Sequence, residues 1–197
     1  MKRALLALTV IFAAASLASA QSATDKVSAQ GHVSPPQLAP NPFAGVPPAN
    51  PADVKSFDTI LAALYDVISG PAGERDWNRF RSLFMPNARL TSAEKSPDGA
   101  VHVRPNSVED YVRLGGAYFL KNGFFEKPIV NRIQIFGNVA QVFSRYESRH
   151  ALAEAPFARG INSIQLVNDG SRWWVVNILW DEERPDNPLP TEFATKP

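Results

Sequence analysis

Gly160-Ile-Asn-Ser-Ile-Gln-Leu-Val-Asn168, Asp169-Gly170, then Ser171-Arg-Trp-Trp-Val-Val-Asn-Ile-Leu-Trp-Asp181 is the stretch that decides the fold. Two runs of β-branched, aliphatic and aromatic residues flank Asp-Gly, a dipeptide that favours tight turns with positive φ at both central positions. Both runs carry apolar side chains on both faces, so the hairpin should be covered on two sides. Strict alternation then gives the inward residues as Ile161, Ser163 and Gln165 on one strand, and Trp174, Val176, Ile178 and Trp180 on the other.

Upstream, the hydrophobic period lengthens from two residues to between three and four. Asn50-Pro51-Ala52-Asp53 has a cap, a proline for the first helical position and an acid for the positive helix end. Val54, Phe57, Leu61, Leu64 and Ile68 follow at helical spacing until Gly70-Pro71. Trp77, Phe80, Leu83 and Phe84 mark a second helix. Ser107-Val-Glu-Asp110 resembles a capping box and opens a third, with Val108, Tyr111, Val112 and Phe119 inward. Short strands are expected near 88–92 and 101–103. Long ones are expected over 129–136 and 139–148, joined at Gly137-Asn138. Helices first and antiparallel strands after them predict an α+β domain.

The 197-residue chain carries 20 basic and 19 acidic residues and no cysteine. Disulfides and thiol chemistry are thereby excluded, and no basic stripe points to nucleic acid. Lys2-Arg3, the apolar run 4–17 and Ala18-Ser-Ala20 read as a signal peptide over 1–20. The run is too short to span a bilayer comfortably, so an exported protein, periplasmic or secreted, is expected without a membrane span. Seven prolines fall between Pro35 and Pro51, so 21–50 reads as a disordered Pro/Ala/Ser-rich linker. The domain should run over 51–184, with an extended tail over 185–197.

The turn Leu83-Phe84-Met-Pro-Asn87-Ala88, the helix start Ser107–Tyr111 and the terminal Trp173-Trp174…Trp180 strand make residues 50–183 resemble the nuclear transport factor 2-like, or SnoaL-like, superfamily. The resemblance implies a cystatin-like cone: a curved antiparallel sheet wrapped around three N-terminal helices, with a pocket inside. It also implies that the convex sheet face often serves dimerisation. In the steroid isomerases of this fold, Tyr65 resembles the catalytic tyrosine. Ser92 stands at the general-base aspartate and Ser163 at the oxyanion-stabilising acid. A serine is a poor replacement for a carboxylate base. A scytalone-type dehydratase would need a histidine-rich pocket, and the histidines are His32, His102 and His150.

Alternation places Val142, Ser144, Tyr146 and Ser148 inward. The expected ligand pocket is thus Tyr65, Ser92, Tyr118, Ser144, Tyr146, Ser163, Gln165 and Trp180. It suits a small, largely apolar molecule, with no cofactor and no metal site. The binding reading stands beside an enzymatic one, a lyase or isomerase acting in the same cavity. In the latter, Tyr65 serves an oxyanion, Tyr146 or Gln165 orients the substrate, and Asp66 or His102 is the titrating group. Arg145, Glu147 and Phe143, with Ile164 and Leu166 alongside, are expected on the convex face as a homodimer interface. An interaction module built on that face and the linker is the third reading.

Overall fold

The computed structural model describes residues 41–194, so the signal peptide expected over 1–20 and most of the linker expected over 21–50 lie outside the described residues. Two short helical pieces come first, α1 (Pro51–Val54) and α2 (Phe57–Ile68). They replace the single long helix expected from periodicity, because Ser56 interrupts it with a capping box of its own. Its hydroxyl takes the Thr59 N–H, and the Thr59 hydroxyl oxygen takes the Ser56 N–H. Next come α3 (Trp77–Ser82), β1 (Phe84–Lys95), β2 (Val101–Ser107) and α4 (Val108–Phe119). The Ser107 hydroxyl and the Asp110 carboxylate form the cap of α4. Four strands finish the domain: β3 (Phe125–Phe136), β4 (Val139–Arg149), β5 (Ala158–Asn168) and β6 (Trp173–Glu182).

The six strands form one curved sheet in the order β2-β1-β6-β5-β4-β3. It is mixed rather than wholly antiparallel. The chain returns from β5 through β6 to lie beside β1, and those two strands run parallel. The β5–β6 connection also differs from a two-residue turn. Asn168 pairs with Trp173, and Gly170 alone has positive φ, +95°. The loop is instead tied by Asp169, whose Oδ1 accepts the backbone N–H groups of Ser171 and Arg172. That arrangement satisfies the turn without left-handed backbone at Asp169.

Two bulges set which side chains reach the core. Opposite β4, the register shifts between Pro128 and Val130. Glu126 and Pro128 therefore pair with the inward Ser148 and Tyr146, whereas beyond Ile129 it is Asn131 and Ile133 that pair with the inward Ser144 and Val142. On β6, Gln165 pairs with Asn177 but Leu166 with Val175, leaving Val176 outside the alternation. The inward row of β5 is Gly160, Asn162, Ile164 and Leu166, which oppose Tyr146, Ser144, Val142 and Ala140. Ser163 and Gln165 face the other way, one residue out of phase with the alternation expected for this strand. Ile178 and Trp180 do point inward, but Val175 takes the inner place expected for Val176. Trp174 lies outside the core cluster, stacked 4.6 Å from Phe43.

The core closes where α2, α3 and α4 pack against this face: Ile60, Phe80, Leu83, Val142, Ile164 and Val175 are essentially inaccessible. On the convex face, Ile164 and Leu166 are absent because they are buried within. Arg145 and Glu147 do lie there, paired at 3.3 Å. Part of this face is covered by the chain's own C-terminal segment. Arg145 donates to the Phe193 carbonyl and Arg132 to that of Glu192, and the Phe193 ring is buried.

The register yields a paired prediction. Ile164→Ala should lower the unfolding free energy by about 2–5 kcal/mol, whereas Gln165→Ala should stay within about 0.5 kcal/mol. Urea denaturation of the two variants reads this directly; comparable losses at both positions would contradict the register.

Candidate functional site

Inward side chains become more polar toward one end of the sheet. One rung, Ile133-Val142-Ile164-Ile178-Leu90, is wholly apolar. The next is Asn131-Ser144-Asn162-Trp180-Ser92, followed by Pro128-Tyr146-Gly160-Glu182 and Glu126-Ser148-Ala158. Three neighbouring rungs thus bring most of the polar groups together at one end of the cone. The helices supply the opposite wall, with Leu64, Tyr65 and Ile68 of α2, Phe80 of α3 and Tyr111 of α4. Between them lies a cavity of about 210 Å³. A cavity of roughly 150 Å³ accommodates benzene, so this one has room for a molecule of about one ring.

A hydrogen-bonded chain runs through the site. The Ser148 hydroxyl donates to Glu126 Oε2 at 2.9 Å. Asn162 Nδ2 uses its two protons on Glu126 Oε1, at 3.3 Å, and on the Tyr65 hydroxyl oxygen, at 3.1 Å. The Tyr65 hydroxyl also bonds Ser144 Oγ, 2.6 Å away, a contact in which either hydroxyl can donate. Tyr146 stands outside this chain. It lies over β5 only because residue 160 is glycine: a Cβ there would sit 2.7 Å from the Tyr146 hydroxyl.

The electrostatics follow from burial. Desolvation pushes the Glu126 carboxyl up from 4.5 to about 7. The hydrogen bonds from Ser148 and Asn162 oppose that rise, and the charge of Glu182 adds to it. Burial, together with the nearby Glu126 charge, likewise raises Tyr65, Tyr111 and Tyr146, so all three phenols stay protonated at neutral pH. Glu182, more exposed, stands at the rim and is raised by desolvation and by Glu94 and Asp181.

Of the residues singled out from sequence, Tyr65, Tyr146 and Trp180 line the cavity, and Ser144 sits behind Tyr65 as its hydrogen-bond partner. Ser92 is buried on the same face, but its hydroxyl is turned to Glu94 Oε1 at 3.1 Å and does not line the cavity. Tyr118 is 40% exposed on the last turn of α4, where Phe119 takes the inward position and Tyr111 is the phenol that reaches the cavity. Ser163 and Gln165 lie on the convex side. Asp66 is at the surface, paired with Arg79 at 2.6 Å. His102 is exposed on β2, near the Ser96 hydroxyl. Neither titrating candidate lines the cavity. Sequence reasoning missed Glu126, Asn162 and Glu182. The signal for Glu126 was a lone acid inside Phe124-Phe125-Glu126-Lys-Pro128-Ile-Val, just after the Asn-Gly helix end. Among the described residues, no group of three or more His, Asp and Glu side chains is placed to hold a metal ion.

The raised carboxyl predicts a pH-dependent penalty. Below about pH 4.5 Glu126 is protonated in folded and unfolded chains alike and costs nothing. As pH rises toward 7 the unfolded chain releases the proton first, so stability falls, and above about 7 the loss levels off at no more than about 3.5 kcal/mol. Glu126→Gln should therefore raise the urea midpoint at pH 8 relative to wild type and leave it nearly unchanged at pH 4. A gain independent of pH would contradict the burial argument.

No protein-family model matches the sequence, and no curated protein is detectably similar to it. Solved structures do match. One is a candidate dehydratase of the nuclear transport factor 2-like family from Streptomyces avermitilis, with 9% identity and a TM-score of 0.50, covering 67% of this chain and 96% of that one. Others are cystatin-like-fold proteins from Nostoc punctiforme (12% identity, TM-score 0.48, 66% and 89% covered) and Caulobacter vibrioides (12%, 0.48, 67% and 90%). Among the described residues no helix is long and apolar enough to cross a membrane. Six strands curved around helices, in this order and with this match, make the chain an α+β protein of the nuclear transport factor 2-like, cystatin-like cone fold.

Proposed function

We propose that the cone binds a small, largely apolar molecule of about one ring and that Glu126 moves a proton on it. The observation that carries this reading is a carboxyl group held by two hydrogen-bond donors in an aromatic-walled cavity that has room for a ligand. A carboxyl displaced toward neutrality is poised to accept and return a proton at physiological pH.

The chemistry assigns the roles. The Glu126 carboxylate takes a proton from the carbon beside a ligand carbonyl; the electron pair of that C–H bond forms a C=C bond to the carbonyl carbon, and the C=O π pair moves onto the carbonyl oxygen. The Tyr146 hydroxyl, outside the Tyr65–Ser144 chain, donates a hydrogen bond to the developing oxyanion. Glu126 then returns the proton to the same or a conjugated carbon. Asn162 and Ser148 orient the carboxyl. Tyr65, bonded to Ser144, positions Asn162.

Cyclohex-3-enone is a probe of fitting size. Its conversion to cyclohex-2-enone, followed by ultraviolet absorbance, should proceed faster with the protein than in buffer. The rate should rise with pH through about 7 and then level, as the base form fills. Glu126→Gln should lose roughly a hundred- to ten-thousand-fold of the acceleration. A variant as fast as wild type would remove Glu126 from this role.

A further inference from the structure

The chemistry of the cavity wall says more about the ligand. Seven of the lining residues are aromatic: Tyr65, Phe80, Tyr111, Phe124, Tyr146, Phe157 and Trp180. Two are carboxylates, Glu126 inside and Glu182 at the rim, and no lysine, arginine or histidine lines the space. The nearby basic groups are turned elsewhere. Arg159 pairs with Glu183 at 2.7 Å, and Arg184 with Asp181 at 2.5 Å. His150 lies against the Phe157 ring, 4.1 Å between centroids, with Nδ1 on the Gly123 carbonyl side.

A cavity lined by aromatic rings, with negative charge and no positive charge, has a definite preference. The face of an aromatic ring attracts a cation, most of all where water is excluded. A carboxylate in the same low-dielectric space strengthens that attraction and repels anions. A neutral ligand gains only from the apolar contact. Building on the small-molecule reading above, we propose that the cavity selects an organic cation: an amine or quaternary ammonium group carried on a body of about one ring. Glu182 at the rim meets the ammonium group first, the rings of Tyr111, Phe124, Phe157 and Trp180 enclose it, and Glu126 is its counter-ion inside.

The counter-ion must be ionised to serve, which ties binding to pH. The groups that bear on Glu126 are Tyr65 from α2, Tyr111 from α4, Tyr146 and Ser148 from β4, Asn162 from β5 and Glu182 from β6. Glu182 in turn feels Glu94, Asp181 and Arg184. With the phenols neutral, Glu126 is the group inside the cavity whose charge changes between pH 6 and 8. A cation bound there should draw it into its ionised form.

The test is calorimetric binding to the intact protein of three probes of similar size: phenyltrimethylammonium, whose charge is permanent, benzyl alcohol and benzoate. The proposal predicts that at pH 8 phenyltrimethylammonium binds at least about tenfold more tightly than benzyl alcohol, and that benzoate does not bind. The cation's affinity should rise about tenfold from pH 6 to pH 8, as the competent, ionised form of Glu126 fills. In Glu126→Gln that pH dependence and most of the preference should vanish, while a cooperative urea unfolding with a midpoint no lower than that of wild type shows the fold intact. Benzyl alcohol binding as tightly as the cation, or cation binding that does not change with pH, would overturn the proposal and leave the proton-transfer reading standing. Saturable binding of none of the three would overturn both.

Discussion

The amide of Asn162 holds the site together. Its two protons join the Glu126 carboxyl on one side to the Tyr65 phenol on the other, and so tie strand β3 and helix α2 through strand β5. A carboxyl removed from water is costly unless its oxygens are satisfied. Here one oxygen takes the Ser148 hydroxyl and the other the Asn162 amide. The two donors are enough to keep Glu126 in place and too weak to cancel its desolvation, so its proton is held up to near-neutral pH. A paired arginine would have pinned it as a permanent anion. The site contains none.

That arrangement depends on strand phase. The irregularity around Ile129 lets the first part of β3 turn Glu126 inward, whereas an unbroken strand in phase with Ile133 would direct it to the convex side. Glycine at 160 performs a similar service on β5, leaving the space that the Tyr146 ring fills. The polar end of the cone is therefore built from local departures in a sheet whose other end is regular and apolar. Such irregularities in a sheet often lie beside functional sites.

The same departures explain what was legible in the sequence. Helix starts at Asn50 and Ser107, strands over 139–148 and 160–181, and the order of elements could be read because capping chemistry and hydrophobic period are local signals. On β4, Val142, Ser144, Tyr146 and Ser148 alternate without interruption, so their direction follows from spacing alone. On β5 apolar residues occupy both faces, Ile161 and Val167 on one and Ile164 and Leu166 on the other. Composition there cannot fix the phase, and simple alternation puts Ser163 in the place that Asn162 holds. Glu126 was out of reach for another reason: it precedes the segment that reads as a strand, and the bulge breaks any alternation traced back from Ile133. The extra helix cap at Ser56 was present in the sequence as Ser-x-x-Thr, but the continuous apolar stripe across it concealed the break.

The central claim is that Glu126 exchanges its proton near neutral pH inside the cavity, and its own titration tests that most directly. The side-chain carboxyl carbon of Glu126, assigned in carbon-13 NMR spectra by its loss in Glu126→Gln, should shift with a midpoint at about pH 7. A midpoint near 4.5, the ordinary value for a glutamate, would place the carboxyl in water and contradict the account.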